Sequence, residues 1–201
     1  MGSTLPRSLA ALALFGLLAA GAQAAEKAGP RDVIEKTVGD VLVVLKDHEL
    51  SKVERRTRVQ EIAYTRFDFG TMSRLVLARN WNLFSGAQQA EFEREFKTFL
   101  ARSYGSRLDA YDQQEVQIVG EEPETRGDVT IRTRVLGGDF EGAAIDYRLR
   151  DRDGEWRVID VVIEGISLVA NYRDQFKVVL SRGGPDALLR ELREKNAAQE
   201  T

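Results

Sequence analysis

The stretch Trp156 to Phe176, WRVIDVVIEGISLVANYRDQF, decides the fold. From Trp156 to Ile163 apolar residues fall on both parities, with Trp156, Val158 and Val162 on one face and Ile159, Val161 and Ile163 on the other. That is the pattern of a strand covered on both sides. Gly165 permits a sharp turn, and Ser167 is placed to cap a helix, because its side-chain oxygen can accept from a backbone N–H that no helical carbonyl reaches. Leu168, Val169, Tyr172 and Phe176 then recur at helical spacing. A strand thus hands over to a helix whose apolar face returns onto the sheet, and the space between them must be filled by side chains or by a ligand.

Upstream of this stretch the apolar period is two. Val116 to Val119 is a short strand; Asp128 to Leu136 alternates Val129, Ile131, Thr133 and Val135 against Thr130, Arg132 and Arg134; Ala143 to Arg150 alternates Ile145, Tyr147 and Leu149 against Asp146, Arg148 and Arg150. Gly137-Gly138-Asp139 and Asp151-Arg152-Asp153-Gly154 join neighbours closely enough for hairpins, so the sheet is antiparallel.

Earlier still the period is helical. Arg31 to Lys46, entered through Pro30, puts Val33, Ile34, Val38, Val41, Leu42 and Leu45 on one side. Ser51 to Glu54 has capping-box spacing and opens a second helix carrying Arg55, Arg56 and Arg58, a basic run read as a solvated face rather than a docking patch. Asp68 caps a third helix with Phe69, Met72, Leu75, Val76 and Trp81 inward. Ser85 to Gln88 opens the longest, expected to reach about Tyr111 with Phe92, Phe96, Phe99, Leu100, Tyr104, Leu108 and Tyr111 on one stripe, an aromatic face more often core than ligand wall. Downstream, Ser181 to Gly184 ends the Phe176 helix, Pro185 starts a last one through Leu188, Leu189 and Leu192, and the tail Lys195 to Thr201 is expected to fray. The order predicts an α+β domain, helices gathered on one face of a curved four-stranded antiparallel sheet.

Residues 1–24 stand apart. Arg7 supplies a positive n-region, Leu9 to Ala20 is small and apolar throughout, and Ala22-Gln23-Ala24 matches a small-x-small cleavage site, so the segment reads as a secretory signal and residues 25–201 as one domain. The run is far short of the roughly 20 residues that span a bilayer. With 29 Lys and Arg against 32 Asp and Glu, the chain carries −3, and losing Arg7 leaves about −4, which argues against nucleic acid as partner. There is no Cys, hence no disulfide framework or thiol chemistry.

Catalytic constellations are sparse. The single His, His48, lies at a helix end beside Asp47 and Glu49, so a His-based metal site or triad is excluded. Glu164-Gly165-Ile166-Ser167 lacks the spacing of a nucleophile elbow, and Asp151 to Gly154 lacks the register and closing Glu of a calcium loop. Asp146 lies on the polar face of its strand. Asp160, between Ile159 and Val161, needs a partner if buried, and Arg132, Arg134 or Arg148 can supply one; a structural ion pair is preferred over a general base.

Three segments, Phe67 to Trp81 (FDFGTMSRLVLARNW), Gln88 to Tyr111 (QQAEFEREFKTFLARSYGSRLDAY) and Trp156 to Phe176, resemble the MlaC family, the periplasmic phospholipid-binding component of the Mla lipid-transport system, also called the toluene-tolerance auxiliary family. Ala78 departs from the pattern, since members often have Gly there. The resemblance implies a nuclear-transport-factor-like (NTF2-like) cone with a hydrophobic pocket that takes acyl chains while the headgroup faces water. It implies a monomeric periplasmic shuttle, without catalysis or cofactor, between an inner-membrane ABC transporter carrying MCE domains and an outer-membrane lipoprotein–porin complex, maintaining outer-membrane lipid asymmetry. The residues expected to line the pocket, projecting inward from the bulkiest apolar elements, are Phe69, Met72, Leu75, Phe96, Phe99, Tyr104, Val135, Tyr147, Val158, Val162, Ile166, Val169 and Tyr172. Two rivals are an enzyme with Asp160 as base and a protein-interaction module whose core is filled by its own side chains.

Overall fold

The computed structural model describes residues 27–105, 108, 111 and 113–198; the expected signal segment lies outside them. In chain order the elements are α1 (Pro30–Lys46), α2 (Lys52–Arg66), α3 (Phe69–Leu77), a 3-10 turn (Ala78–Leu83), α4 (Gly86–Gly105), β1 (Glu115–Pro123), β2 (Val129–Leu136), β3 (Ile145–Arg152), β4 (Glu155–Ile163), β5 (Ile166–Ser167) and α5 (Leu168–Ala198). The helix starts follow the capping chemistry. At the head of α2 the Glu54 N–H donates to Ser51 Oγ (3.2 Å) and the Ser51 N–H to Glu54 Oε2 (2.8 Å), and Ser85 with Gln88 repeats the exchange before α4. Asp68 accepts from the Thr71 N–H (2.8 Å) and hydroxyl (2.7 Å) at the head of α3. Burial pushes its carboxyl up, but these bonds and Arg152 outweigh burial and hold it below the usual carboxylate range.

The strands form one antiparallel sheet in the order β1-β2-β3-β4-β5, with helices α1, α3 and α5 against it. The fifth strand is an addition to the expected four: Glu164 and Gly165, both at positive φ, make a two-residue hairpin that returns Ile166 beside Ile163. Asp153 and Gly154 do the same between β3 and β4, and Asp151 Oδ1 accepts from the Gly154 N–H (2.7 Å), so this acidic cluster works as a turn.

Other boundaries moved for reasons the local sequence does not carry. α4, expected to be the longest helix and to reach about Tyr111, ends at Gly105. The tail expected to fray from Lys195 stays helical to Ala198, because Asn196 is buried and its side-chain NH2 donates to Glu95 O (3.0 Å) and Glu95 Oε2 (2.9 Å) while its backbone carbonyl accepts from Arg102. The expected break between the two C-terminal helices is present within α5: Gly184, with φ of 66° and ψ of −166°, is not helical, and Pro185 follows it.

One apolar cluster joins the parts. Val33 and Ile34 of α1, Met72 and Val76 of α3, Phe92 and Phe96 of α4, Ile131, Leu149 and Val158 of the sheet, and Val169, Phe176, Leu188 and Leu192 of α5 all belong to it. Its centre is aromatic: Phe92, Phe96, Tyr172 and Phe176 meet at centroid distances of 5.5 to 5.8 Å, and Phe99 meets Tyr172 at 5.3 Å. Stacked and edge-on rings at this spacing leave no room between them.

Candidate functional site

The aromatic stripe of α4 is core. Of the residues expected to line a pocket, Phe69, Met72, Phe96, Phe99, Val158, Val169 and Tyr172 are buried members of the apolar cluster, and Leu75, Tyr104 and Tyr147 are partly buried against it. Val135 is buried yet lies outside the cluster.

Two expected residues do not face inward. Tyr147 pairs with Val161 and Ile145 with Ile163, all four being cluster residues, whereas Val162 pairs with Asp146 on the opposite face. The cause is a β-bulge: Leu149 pairs with Val158 and Arg148 with Asp160, so Ile159 is an extra residue and the alternation reverses across it. Val158, Val161 and Ile163 therefore share the inner face in place of the expected Val158 and Val162. Ile166, in the two-residue β5, is 61% exposed because its strand lies at the sheet edge.

Asp160 is fully buried and fully engaged. Arg148 donates to it at 2.5 Å, the Ser167 hydroxyl at 2.5 Å and the Val169 N–H at 3.1 Å, while Ser167 Oγ accepts from the Ala170 N–H at 3.0 Å. The expected ion pair is the one with Arg148. It locks β4 to the head of α5, with two donors on Oδ2 and one on Oδ1, and Asp160 lines neither of the two cavities described below.

The helix-sheet core loosens toward one end. Leu45, near the end of α1, is buried like Val135 but outside the main cluster, and Tyr104 at the end of α4 is half-buried. The β2 end, the start of β1 and the start of β3 all lie here, because Val116 pairs with Val135 and the Val135 N–H bonds the Ala143 carbonyl. Leu45, Lys46, His48, Arg55, Leu108, Tyr111 and Gln113 enclose a cavity of about 150 Å³. That is below the roughly 300–1,000 Å³ of a small-molecule pocket, so seating a long apolar chain here requires the walls to move outward.

The sequence reading left Leu45 as an ordinary helix-face residue. The available signal was Val41 to Leu45, VLVVL, which is apolar all round the helix where a surface helix needs only one stripe.

A second concavity, of about 380 Å³, lies at the other end of the sheet between Tyr64, Phe67, Asp68, Phe69, Gly70, Glu93, Lys97, Arg152 and Arg157. Arg152 donates to Asp68 at 3.1 Å, Arg157 to Glu155 at 2.9 Å, and Lys97 Nζ sits 3.5 Å above the Tyr64 ring. Charged walls of both signs make it unsuited to acyl chains.

Among the described residues there is no cluster of three or more acidic, His or Cys side chains able to hold a metal, and no helix long and apolar enough to cross a membrane.

Comparison with known proteins agrees with this architecture. The chain is 26% identical over 184 residues to the toluene tolerance protein ttg2D of Pseudomonas putida, covering 89% of this chain and 83% of that protein. It is 25% identical over 125 residues to the intermembrane phospholipid transport system binding protein MlaC of Haemophilus influenzae, covering 59% of this chain and 58% of the other. A solved structure, the phospholipid-binding protein from Ralstonia solanacearum in complex with a phospholipid, superposes with a TM-score of 0.78 at 29% identity, covering 87% of this chain and all of that one. The family model for the MlaC protein matches residues 35–194, from the first helix into the last, and the chain therefore belongs to the MlaC family.

Proposed function

We propose that the chain is a periplasmic phospholipid carrier, exported by its N-terminal 24 residues, that holds acyl chains between helices and sheet and moves lipid between an inner-membrane MCE-domain transporter and an outer-membrane lipoprotein–porin complex. The observation that carries the reading is the 0.78 TM-score over 87% of the chain to a protein solved with phospholipid bound. On this reading Tyr104, Val135, Tyr147 and Leu75 form the walls of the acyl site together with Leu45, and Phe69, Met72, Phe96, Phe99, Val158, Val169 and Tyr172 its floor.

The physical need is large. Two acyl chains expose roughly 30 methylenes at about 0.8 kcal/mol each, so unassisted passage through water costs on the order of 25 kcal/mol. An apolar protein site makes the transfer nearly isoenergetic. It supplies no direction, which must come from the partners, and it asks for no catalysis, in keeping with the engaged Asp160.

The test is mass spectrometry on an organic extract of the mature protein, prepared from periplasm without detergent. Stoichiometric phospholipid is expected. Val135→Trp, on the inner face, should lower the lipid content of a folded protein, whereas Val162→Trp, on the outer face, should not. A protein that arrives empty and takes no lipid from vesicles would refute the carrier reading and favour an interaction module.

A further inference from the structure

The cleft at the far end of the sheet is assembled from four elements. Tyr64 and Phe67 come from the end of α2 and its C-cap, Gly70 from the head of α3, Glu93 and Lys97 from α4, and Arg152 from the end of β3. Its volume of about 380 Å³ falls within the roughly 300–1,000 Å³ of small-molecule sites. Rings give it an apolar wall, since Tyr64 meets Phe69 edge-on at 5.7 Å and Phe67 stacks on Phe69 at 5.9 Å. Phe69 also belongs to the apolar core, so its ring is the partition between the cleft and the helix-sheet interior.

Two opposite charges in this cleft lack a polar partner. Glu93 and Lys97 stand four residues apart on α4 with the acid on the N-terminal side, the order in which a helix best joins such a pair. They do not join. Among the described residues Glu93 makes no ion pair or hydrogen bond, and Lys97 is held only by rings, its Nζ 3.5 Å from the Tyr64 centroid and 5.7 Å from that of Phe69. The Glu93 carboxylate turns instead to the head of α3, where a Cβ on Gly70 would stand 3.4 Å from Glu93 Oε2 and 3.5 Å from Asp68 Oδ1. Asp68 is already engaged by Thr71 and Arg152, and Arg152 uses only Nη1 for it.

Both Glu93 and Lys97 are half-buried, so each gives up hydration without gaining a counter-ion. A ligand that restores both carries an ammonium for the one and a carboxylate for the other. Four residues of helix rise about 6 Å, close to the roughly 7 Å that two extended residues span and twice the reach of one. The volume agrees, being the liquid share of about a dozen waters.

We propose that this cleft binds soluble zwitterions of dipeptide size, apart from the acyl site: Glu93 takes the ammonium, Lys97 and the free N–H groups of Arg152 take the carboxylate, and the body lies on Phe67 and Tyr64. The site goes beyond the carrier reading and does not depend on it.

The experiment titrates the delipidated mature protein with glycylphenylalanine, with its N-acetylated form and with its C-terminal amide, read by calorimetry. Each cap deletes one charge and leaves the body in place. Wild type is expected to bind the uncapped dipeptide, and either cap to weaken binding about tenfold or more, the size of one charge-assisted hydrogen bond. In Glu93→Gln acetylation should cease to matter while amidation still does. In Lys97→Gln the effect of amidation should shrink while that of acetylation stays. Arg94→Gln, on the same helix but outside the lining, should leave all three titrations alone. Thermal unfolding checks the charge variants. Should either fail to fold, Gly70→Ala supplies the reading: its methyl sits at ordinary contact distance and suits a helix, yet occupies the approach to Glu93, so uncapped binding should fall with no charge removed.

No binding of glycylphenylalanine by wild type overturns the site. So do equal affinities for capped and uncapped forms, which would show an apolar cleft only, and capping effects that survive both charge substitutions. The titration is repeated on protein loaded with phosphatidylethanolamine, whose headgroup is also a zwitterion. Unchanged affinity is expected. Loss of dipeptide binding on loading would assign the cleft to the lipid headgroup and overturn a separate soluble ligand.

Discussion

The two halves of the helix-sheet interface are built from different side chains and behave differently. Around Phe92, Phe96, Tyr172 and Phe176 the rings contact one another at 5.5 to 5.8 Å and saturate each other's surfaces. Around Leu45, Val135, Tyr104 and Tyr111 the side chains are buried or half-buried without joining a common cluster, or lie at its margin, and a cavity opens between some of them. The difference teaches that bulk is a poor guide to a ligand site. Rings that meet face to edge close the space between them, whereas Leu45, near the end of α1, and Tyr111 leave a cavity between them.

The sharpest break in this comparison comes from truncating one residue on each side. Phe96→Ala removes a fully buried ring touching three others and is expected to cost about 3–5 kcal/mol of stability, read as a lower urea midpoint at an unchanged slope. Tyr104→Ala should cost less than about 1.5 kcal/mol, since its ring is only half-buried, yet lower the lipid content. Equal costs at the two positions would mean that the interface is uniformly packed and that no part of it is set aside for cargo.

Much of the packed half could be read from sequence, and less of the loosened end, for a physical reason. Caps such as Ser51 with Glu54 and Asp68 with Thr71 are local, so spacing reveals them. The partner of Asp160 was narrowed to three arginines because strand order limits reach, and Arg148 is the one opposite. The bulge at Ile159 left no mark in a run of eight residues that is apolar on both parities, so the reversal that turns Val162 outward was invisible. Asn196 looked like a frayed polar tail because its partners, Glu95 and Arg102, are about a hundred residues away in the chain. Lys46, His48 and Arg55 each had an adequate local explanation as helix-end or surface charge, and only tertiary structure brings them to one cavity.

A smaller effect sharpens the comparison from the packed side. Ala78 ends α3 at φ 49° and ψ −125°, a conformation costly for any residue with a Cβ and free for Gly. Ala78 stands where members of the family often have Gly; it is exposed, and what its methyl adds is backbone strain. Ala78→Gly is expected to stabilise the protein by roughly 1 kcal/mol, the strain relieved less the extra freedom of Gly in the unfolded chain. Thermal unfolding checks it, and lipid content should not change, because Ala78 is exposed and is not one of the proposed walls.

The smallest effect comes from Tyr147, which packs against the apolar cluster between Ile131 and Val161. Burial pushes its hydroxyl up to about 12, with the charge of Asp146 adding to the shift. The sign follows from proton linkage. The folded state holds the proton more tightly than the unfolded chain, whose tyrosines ionise near 10. Stability from this group is therefore complete below pH 10 and is lost as pH rises from 10 to 12, and Tyr147→Phe should remove that portion of the alkaline loss while leaving the neutral-pH stability within about 1 kcal/mol of wild type. Ultraviolet absorbance of the phenolate, followed against pH, measures the shift directly. If the loosened end takes acyl chains against Tyr147, loading excludes water further and the titration should move higher still in lipid-bound protein than in delipidated protein. A titration identical in the two forms would place the cargo away from Tyr147, and the wall of the site would then have to be drawn through Tyr104 and Val135 without it.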